Sequence, residues 1–219
     1  MRILRLSLIF CLLNFVGLEV FAEGKDYAQY VNPFIGTQGD GHCFPGATRP
    51  LGMVQVSPET TVDHYVGYEG DHIAGYQYSD PYIWGFTQTH LNGVGCPTLS
   101  DILLLPFCGD CANRKYRTDF RSIYRKETEM ASPGYYSVEL TTHKVKVELT
   151  ALKHIAYHRY TYDQKEKAHL LIDLQYGVSW NVNNIKDNIL EAQQQFSDAY
   201  TLCGYRKARE WTQRKLFYV

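Results

Sequence analysis

The sequence has no surplus of either charge. Its 22 basic residues stand against 23 acidic ones, a formal net charge of −1. Nothing in that balance would neutralise a phosphate backbone, so nucleic acid is excluded as a partner. Beyond the leader there is no long apolar run, and no helical membrane span is expected. Linkers, internal repeats, blocks of like charge and low-complexity stretches are also missing. No G-x-S-x-G elbow and no H-E-x-x-H pair occurs, which removes two common hydrolytic chemistries. Gly36 to Gly41 does not fit G-x-G-x-x-G, and no helical pattern follows it. A clean 3.6-residue apolar period is absent, and only residues 120–130 could form a short helix.

Cysteine is sparse and its usage is uneven. Of six cysteines, Cys11 lies in the leader, which leaves Cys43, Cys96, Cys108, Cys111 and Cys203. An odd number leaves at least one thiol free or paired between chains. Cys108 and Cys111 form a C-x-x-C with no second pair or His couple at zinc-ligand spacing. Pro106 precedes the pair and no helix follows, unlike a thioredoxin-type motif. A small loop disulfide is the first expectation for Cys108 and Cys111, and two free thiols the second. Assembly of a metal site from His42, His90 and Cys43 or Cys96 is the lesser reading, since separation in sequence fixes no distance.

The chain is rich in tyrosine, with 18 of them, and aromatics make up 14% of 219 residues. Aromatics favour pleated strands and cross-strand packing. They also offer flat apolar faces with a polar handle, which suits sugars. The first 22 residues read as an export signal. Arg2 and Arg5 give a positive start, residues 6–16 an apolar core, and Val20-Phe21-Ala22 a cleavage site ahead of Glu23. Export, to a periplasm, is the expected destination.

From residue 23 onward, short strand patterns alternate with turns. Strands are predicted over residues 53–56 (ended by Pro58), 82–89, 101–107, 135–141, 145–150, 154–162, 170–174, 189–196, 200–205 and 215–219. Val145, Val147 and Leu149 alternate with Lys146, Glu148 and Thr150, the period of a half-buried strand. Spacing near ten residues with turns between predicts an all-β, antiparallel β-sandwich rather than βα units. Leu216-Phe217-Tyr218-Val219 reads as strand to the last residue, which leads us to expect a continuation.

Two segments break the pattern. Gly36-Thr37-Gln38-Gly39-Asp40-Gly41-His42-Cys43-Phe44-Pro45-Gly46-Ala47 is dense in glycine with isolated polar groups. Gly85 to Cys96 places His90 and Asn92 at a strand end before a turn at Gly93. Glycines permit close approach of backbone to a ligand, and such loops on a rigid scaffold are common seats of function. Tight sandwich corners would share this composition.

These segments resemble glycoside hydrolase family 92, a family of exo-acting α-mannosidases. The resemblance begins at Tyr30-Val31-Asn32-Pro33-Phe34-Ile35-Gly36-Thr37 and Gly41-His42-Cys43-Phe44-Pro45-Gly46-Ala47. It continues through Pro50-Leu51-Gly52-Met53-Val54-Gln55-Val56-Ser57-Pro58, Gly75-Tyr76-Gln77-Tyr78-Ser79-Asp80 and Asp101-Ile102-Leu103-Leu104. Ala131-Ser132-Pro133-Gly134-Tyr135-Tyr136-Ser137-Val138, Gly204-Tyr205-Arg206 and Trp211 complete it, so it covers essentially the whole mature chain.

The resemblance implies a galactose-mutarotase-like, supersandwich N-terminal domain over residues 23–219, joined in the full enzyme to an (α/α)6 domain. It implies an inverting exo-α-mannosidase acting on α-mannosides of N-glycans or mannans. Calcium is required, with its ligands, the general acid and the general base all in the helical domain. No catalytic residue and no metal ligand is therefore expected in this chain, which alone should be inactive. The substrate-contacting candidates it implies are His42, Phe44, Gly46, His90, Asn92 and Gly93, with Tyr68 and Asp71 beside the neighbouring sugar. Residues 63–71 stand where relatives often carry tryptophan, and Trp84 is a possible substitute. The alternative reading is a free-standing, lectin-like carbohydrate-binding module.

Overall fold

The computed structural model describes residues 25–60, 72–114, 117–178, 189–209 and 213–219. The export signal over residues 1–22 lies outside the described residues. Residues 25–30 belong to a unit of their own, in which Tyr27–Tyr30 make a single 3-10 turn. Among the described residues there is no α-helix, and none long and apolar enough to cross a membrane.

Among the other described residues the regular structure is antiparallel strand, joined by loops and short 3-10 turns. In chain order the strands are β1 (Ala47–Thr48), β2 (Gln55–Glu59), β3 (Tyr82–Ile83), β4 (Gly85–Thr87), β5 (Leu103–Cys108), β6 (Ser122–Ile123) and β7 (Met130–Ser132). Then come β8 (Tyr135–Leu140), β9 (Val145–Ala151), β10 (Ala156–Tyr162), β11 (Ala168–Asp173), β12 (Ile189–Phe196), β13 (Leu202–Arg209) and β14 (Gln213–Tyr218). They form a five-stranded sheet (β1-β2-β4-β5-β11), a four-stranded sheet (β10-β9-β8-β7), a three-stranded sheet (β12-β13-β14) and the pair β3-β6.

The five- and four-stranded sheets pack face to face as a sandwich. In β9 the alternation is complete: Val145, Val147, Leu149 and Ala151 are buried, while Lys146 and Thr150 are exposed. These side chains join Val56, Phe86, Tyr136, Val138 and Leu140 in one apolar core. The register sets which face does what. Pro58 pairs with Phe86, and Phe86 with Leu104, so these share a face. That face meets the four-stranded sheet, where the Phe86 and Tyr136 rings lie 6.5 Å apart. Ser57, Glu59 and Thr87 fall on the opposite face, and all three are buried.

Three details differ from the sequence reading. Pro58 does not end its strand: β2 runs on to Glu59. β1 pairs no further than Val56, so at Pro58 the strand has no neighbour on that side and the missing N–H costs no ladder bond. The segment 82–89 is two strands, broken where the Trp84 N–H turns to the Glu59 carbonyl (2.8 Å). The helix considered over residues 120–130 is absent. Instead β6 pairs with β3, Tyr124 bridges to Leu140, and only Lys126–Thr128 make a 3-10 turn.

Candidate functional site

The first glycine-rich loop is held from both sides. On one side Gly39 exchanges two hydrogen bonds with the Gln77 amide, both 3.0 Å, and Gln38 reaches Ser79. On the other side the Gly93 N–H donates to the His42 carbonyl at 2.7 Å. His42 sits in the left-handed region (φ 50°), so its carbonyl projects to the second loop. Gly46 is required where it stands. A Cβ there would lie inside the backbone of Val56 and the side chain of Ser57.

Beneath the two loops lies the polar face of the five-stranded sheet. Glu59 and His90 are buried together, Nε2 to Oε1 at 2.9 Å. The other ring nitrogen of His90, Nδ1, faces the Gln55 carbonyl at 2.6 Å. The Thr87 hydroxyl donates to Glu59 Oε1 and lies 3.1 Å from His90 Nε2. The Tyr176 hydroxyl donates to Glu59 Oε2 at 3.1 Å. Above the imidazole the Phe44 ring packs at 4.6 Å with a 36° tilt. Phe44 is itself buried with Ala74 and Tyr76.

The structure therefore brings His42, Phe44, Gly46, His90 and Gly93 together. His90 and Phe44 form the base of the arrangement, whereas Asn92 and Gly93 stand on its exposed rim. Tyr68 and Asp71 lie outside the described residues, as does the rest of the tryptophan-replacing stretch. Trp84 is buried in the core and is not part of the loop surface. Glu59, Thr87, Gln55, Gly75 and Tyr176 were not anticipated. In the sequence Glu59 is one glutamate after a proline, and only the strand register shows that it shares a face with Thr87.

Each buried carboxylate has protein donors. Asp101, which opens the turn into β5, receives the Thr89 hydroxyl at 2.8 Å and its backbone N–H donates to Thr89 Oγ1 at 3.1 Å. Asp101 is also ion-paired with buried Arg206 of β13. Asp80 is paired with His72 at 2.7 Å. Among the described residues no group of three or more His, Cys, Asp or Glu side chains is placed to hold a metal ion. A calcium cage does not fit these residues. The five described cysteines are all thiols. The loop disulfide expected for Cys108 and Cys111 is not formed: Cys108 closes β5 and Cys111 is exposed in the turn beyond it.

What the two loops expose is backbone at Gly39 and Gly93, the Asp40 carboxylate and the Asn92 amide, on a base fixed by an imidazole–carboxylate couple. Such a rim offers hydrogen-bond donors and acceptors to a polyhydroxylated ligand.

An all-antiparallel sandwich with glycine-rich loops on a buried polar face defines the class of domain. The profile of the glycosyl hydrolase family 92 N-terminal domain matches residues 30–219. The chain belongs to that family. It is 32% identical to the family 92 α-mannosidase of Bacteroides thetaiotaomicron solved with mannoimidazole, with a TM-score of 0.72 over 87% of this chain and 24% of that one. A second solved family 92 glycosyl hydrolase, ccman5, is 26% identical over 88% of this chain and 26% of that one, TM-score 0.72. An uncharacterized secreted glycosidase of Arthroderma benhamiae is 28% identical over 145 residues, 63% of this chain and 17% of the relative. The chain thus spans about a quarter of the solved relatives' length.

Proposed function

We propose that this chain is the sugar-contacting N-terminal domain of an exported, calcium-dependent, inverting exo-α-mannosidase acting on N-glycans or mannans. The carrying observation is the junction of the two loops, Gly93 N–H to the His42 carbonyl at 2.7 Å, in a domain of this family. The binding of mannoimidazole by one solved relative supports a mannose-shaped ligand. Inversion needs an acid and a base carboxyl roughly 6.5–9.5 Å apart. Glu59 and Asp101 are closed off by protein donors, which supports the reading that the couple, like the calcium, is supplied by a helical domain of the full enzyme. The periplasm is the proposed compartment, in keeping with the secreted relative.

The test is to join these residues to a family 92 helical domain and follow mannose release from α-mannosides in calcium by NMR. The isolated chain should give no turnover, and the joined enzyme should release mannose of inverted configuration. Turnover by the isolated chain, or none by the joined enzyme on any α-mannoside, overturns the reading.

A further inference from the structure

We infer that Glu59 is a positioning residue for the pocket: it fixes the His90 ring and, through that ring, holds both glycine-rich loops in one arrangement. The inference rests on the reading of these loops as pocket wall.

The ring's orientation follows from its partners. A backbone carbonyl only accepts, so the nitrogen facing Gln55 O at 2.6 Å, Nδ1, carries a hydrogen. Nε2 is then left to Glu59 Oε1 at 2.9 Å and Thr87 Oγ1 at 3.1 Å. The imidazole can neither flip nor tilt without giving up one of these contacts.

Glu59 is itself fixed from several directions. Thr87 holds Oε1, Tyr176 holds Oε2 at 3.1 Å, and Gly75 (φ 82°) lies so close that a Cβ there would reach 2.8 Å from the carboxyl carbon. A carboxylate costs free energy to bury unless donors surround it, and this one has the hydroxyls of Thr87 and Tyr176, with His90 Nε2 beside it at 2.9 Å. An apolar residue would fill the space, but it would leave Nε2 facing Thr87 Oγ1 alone.

The far face of the ring carries the effect outward. Phe44, at 4.6 Å, belongs to the first loop. Leu91, Asn92 and Gly93 follow His90 in the second, and Gly93 closes back on His42. One carboxylate therefore sets the place of a ring on which both loops lean.

The experiment uses the 219-residue chain and the volume-conserving variant Glu59→Gln. Amide exchange in residues 42–46 and 91–96 should speed up about tenfold or more, the factor that one charge-assisted hydrogen bond is worth. The Nε2 nitrogen resonance of His90 should move while Nδ1 keeps its proton, and β8 and β9 should exchange as before. Unchanged loop exchange, or an unmoved Nε2 resonance, overturns the inference. Phe44→Leu cuts the relay on the other side of the ring and serves if the glutamine variant does not fold. It should speed exchange in residues 42–46 and leave the Nε2 resonance in place; unaltered exchange there overturns the relay.

Titration with methyl α-mannoside separates this inference from the reading beneath it. A wild-type chain that does not bind overturns the pocket, while loop exchange still decides whether Glu59 fixes the ring. Wild-type binding that survives Glu59→Gln unweakened overturns the positioning role alone.

Discussion

Asp101 and Arg206 form a buried ion pair across 105 positions of sequence, joining the turn before β5 to the middle of β13. Both side chains are almost completely shielded from solvent, and Gly177 lies against the guanidinium, where a Cβ would come within 3.0 Å. Leu99, Ser100 and Ile102 around Asp101 all have positive φ, of 74°, 53° and 58°. The segment that carries these left-handed residues is thus anchored by this charge pair together with the Thr89 hydrogen bonds. Removing one partner strands the other charge in the interior. Asp101→Asn or Arg206→Leu should lower the free energy of unfolding by about 3–5 kcal/mol, read from urea denaturation followed by tryptophan fluorescence. A loss below about 1 kcal/mol would mean that the pair is not closed to water.

Gly75 supplies a second expectation. Its φ of 82° lies in the left-handed region, and a Cβ there would press on the Glu59 carboxyl group. Gly75→Ala combines backbone strain with displacement of a buried charge. A loss of about 1–3 kcal/mol is expected from the backbone alone, with more from the clash. If thermal and urea unfolding of this variant match the wild type, the segment at Gly75 can move away from Glu59 at little cost.

The strands were legible where one side chain in two had to be apolar. β9 is readable in this way from Val145, Val147 and Leu149, whereas β12, Ile189–Phe196, was found without such alternation and is exposed along nearly its whole length. The failures have local causes. Pro58 marks a strand end by propensity, yet it is tolerated where β1 has already stopped pairing. Residues 120–130 have neither strand nor helix period because their inward groups, Ser122 and Tyr124, serve a two-residue strand and a single bridge. Within the site, the loops were visible as glycine clusters, but the Glu59–His90 couple was not. Thirty-one positions separate the two, and a sequence carries no register. The five free thiols illustrate the same limit: a C-x-x-C spacing permits a disulfide without requiring one.

Lys126 offers a test of a buried polar cluster away from the loops. Its ammonium lies 5.0, 4.2 and 4.6 Å from the ring centres of Tyr76, Tyr78 and Tyr124, and 3.0 Å from Glu129. Glu129 also takes the hydroxyls of Tyr76 (2.9 Å) and Tyr136 (2.6 Å). Burial, and then the Glu129 charge, push the Tyr76 hydroxyl well above its ordinary range, so it remains a donor. Lys126→Met removes the cation from three rings and a carboxylate together, and should cost about 1–3 kcal/mol. A double-mutant cycle with Glu129→Gln should show coupling of at least about 1 kcal/mol. Additive losses would show that the cage, not the carboxylate, holds the lysine.

His158 of β10 makes stability depend on pH. Its Nε2 lies 2.9 Å from the Gln88 side-chain oxygen, and the Tyr160 hydroxyl lies 2.8 Å from its Nδ1. Beside it runs a cleft of about 350 Å³ lined by Val54, Leu104, Leu170, Ile172 and Leu202. Burial against these groups pushes the imidazole down to about 4 from an ordinary 6.5. The folded chain thus favours the neutral ring, and between about pH 4 and 6.5 the unfolded chain binds the extra proton. Stability from this group is complete above pH 6.5, falls as the pH drops through that window, and is gone below about 4. The full swing is at most about 3–4 kcal/mol, since each pKa unit is worth about 1.4 kcal/mol. Urea midpoints measured from pH 7 to 4.5 should fall steeply for the wild type and less steeply for His158→Gln. If both chains lose stability at the same rate, the acid sensitivity resides in other groups and the His158 ring is open to water.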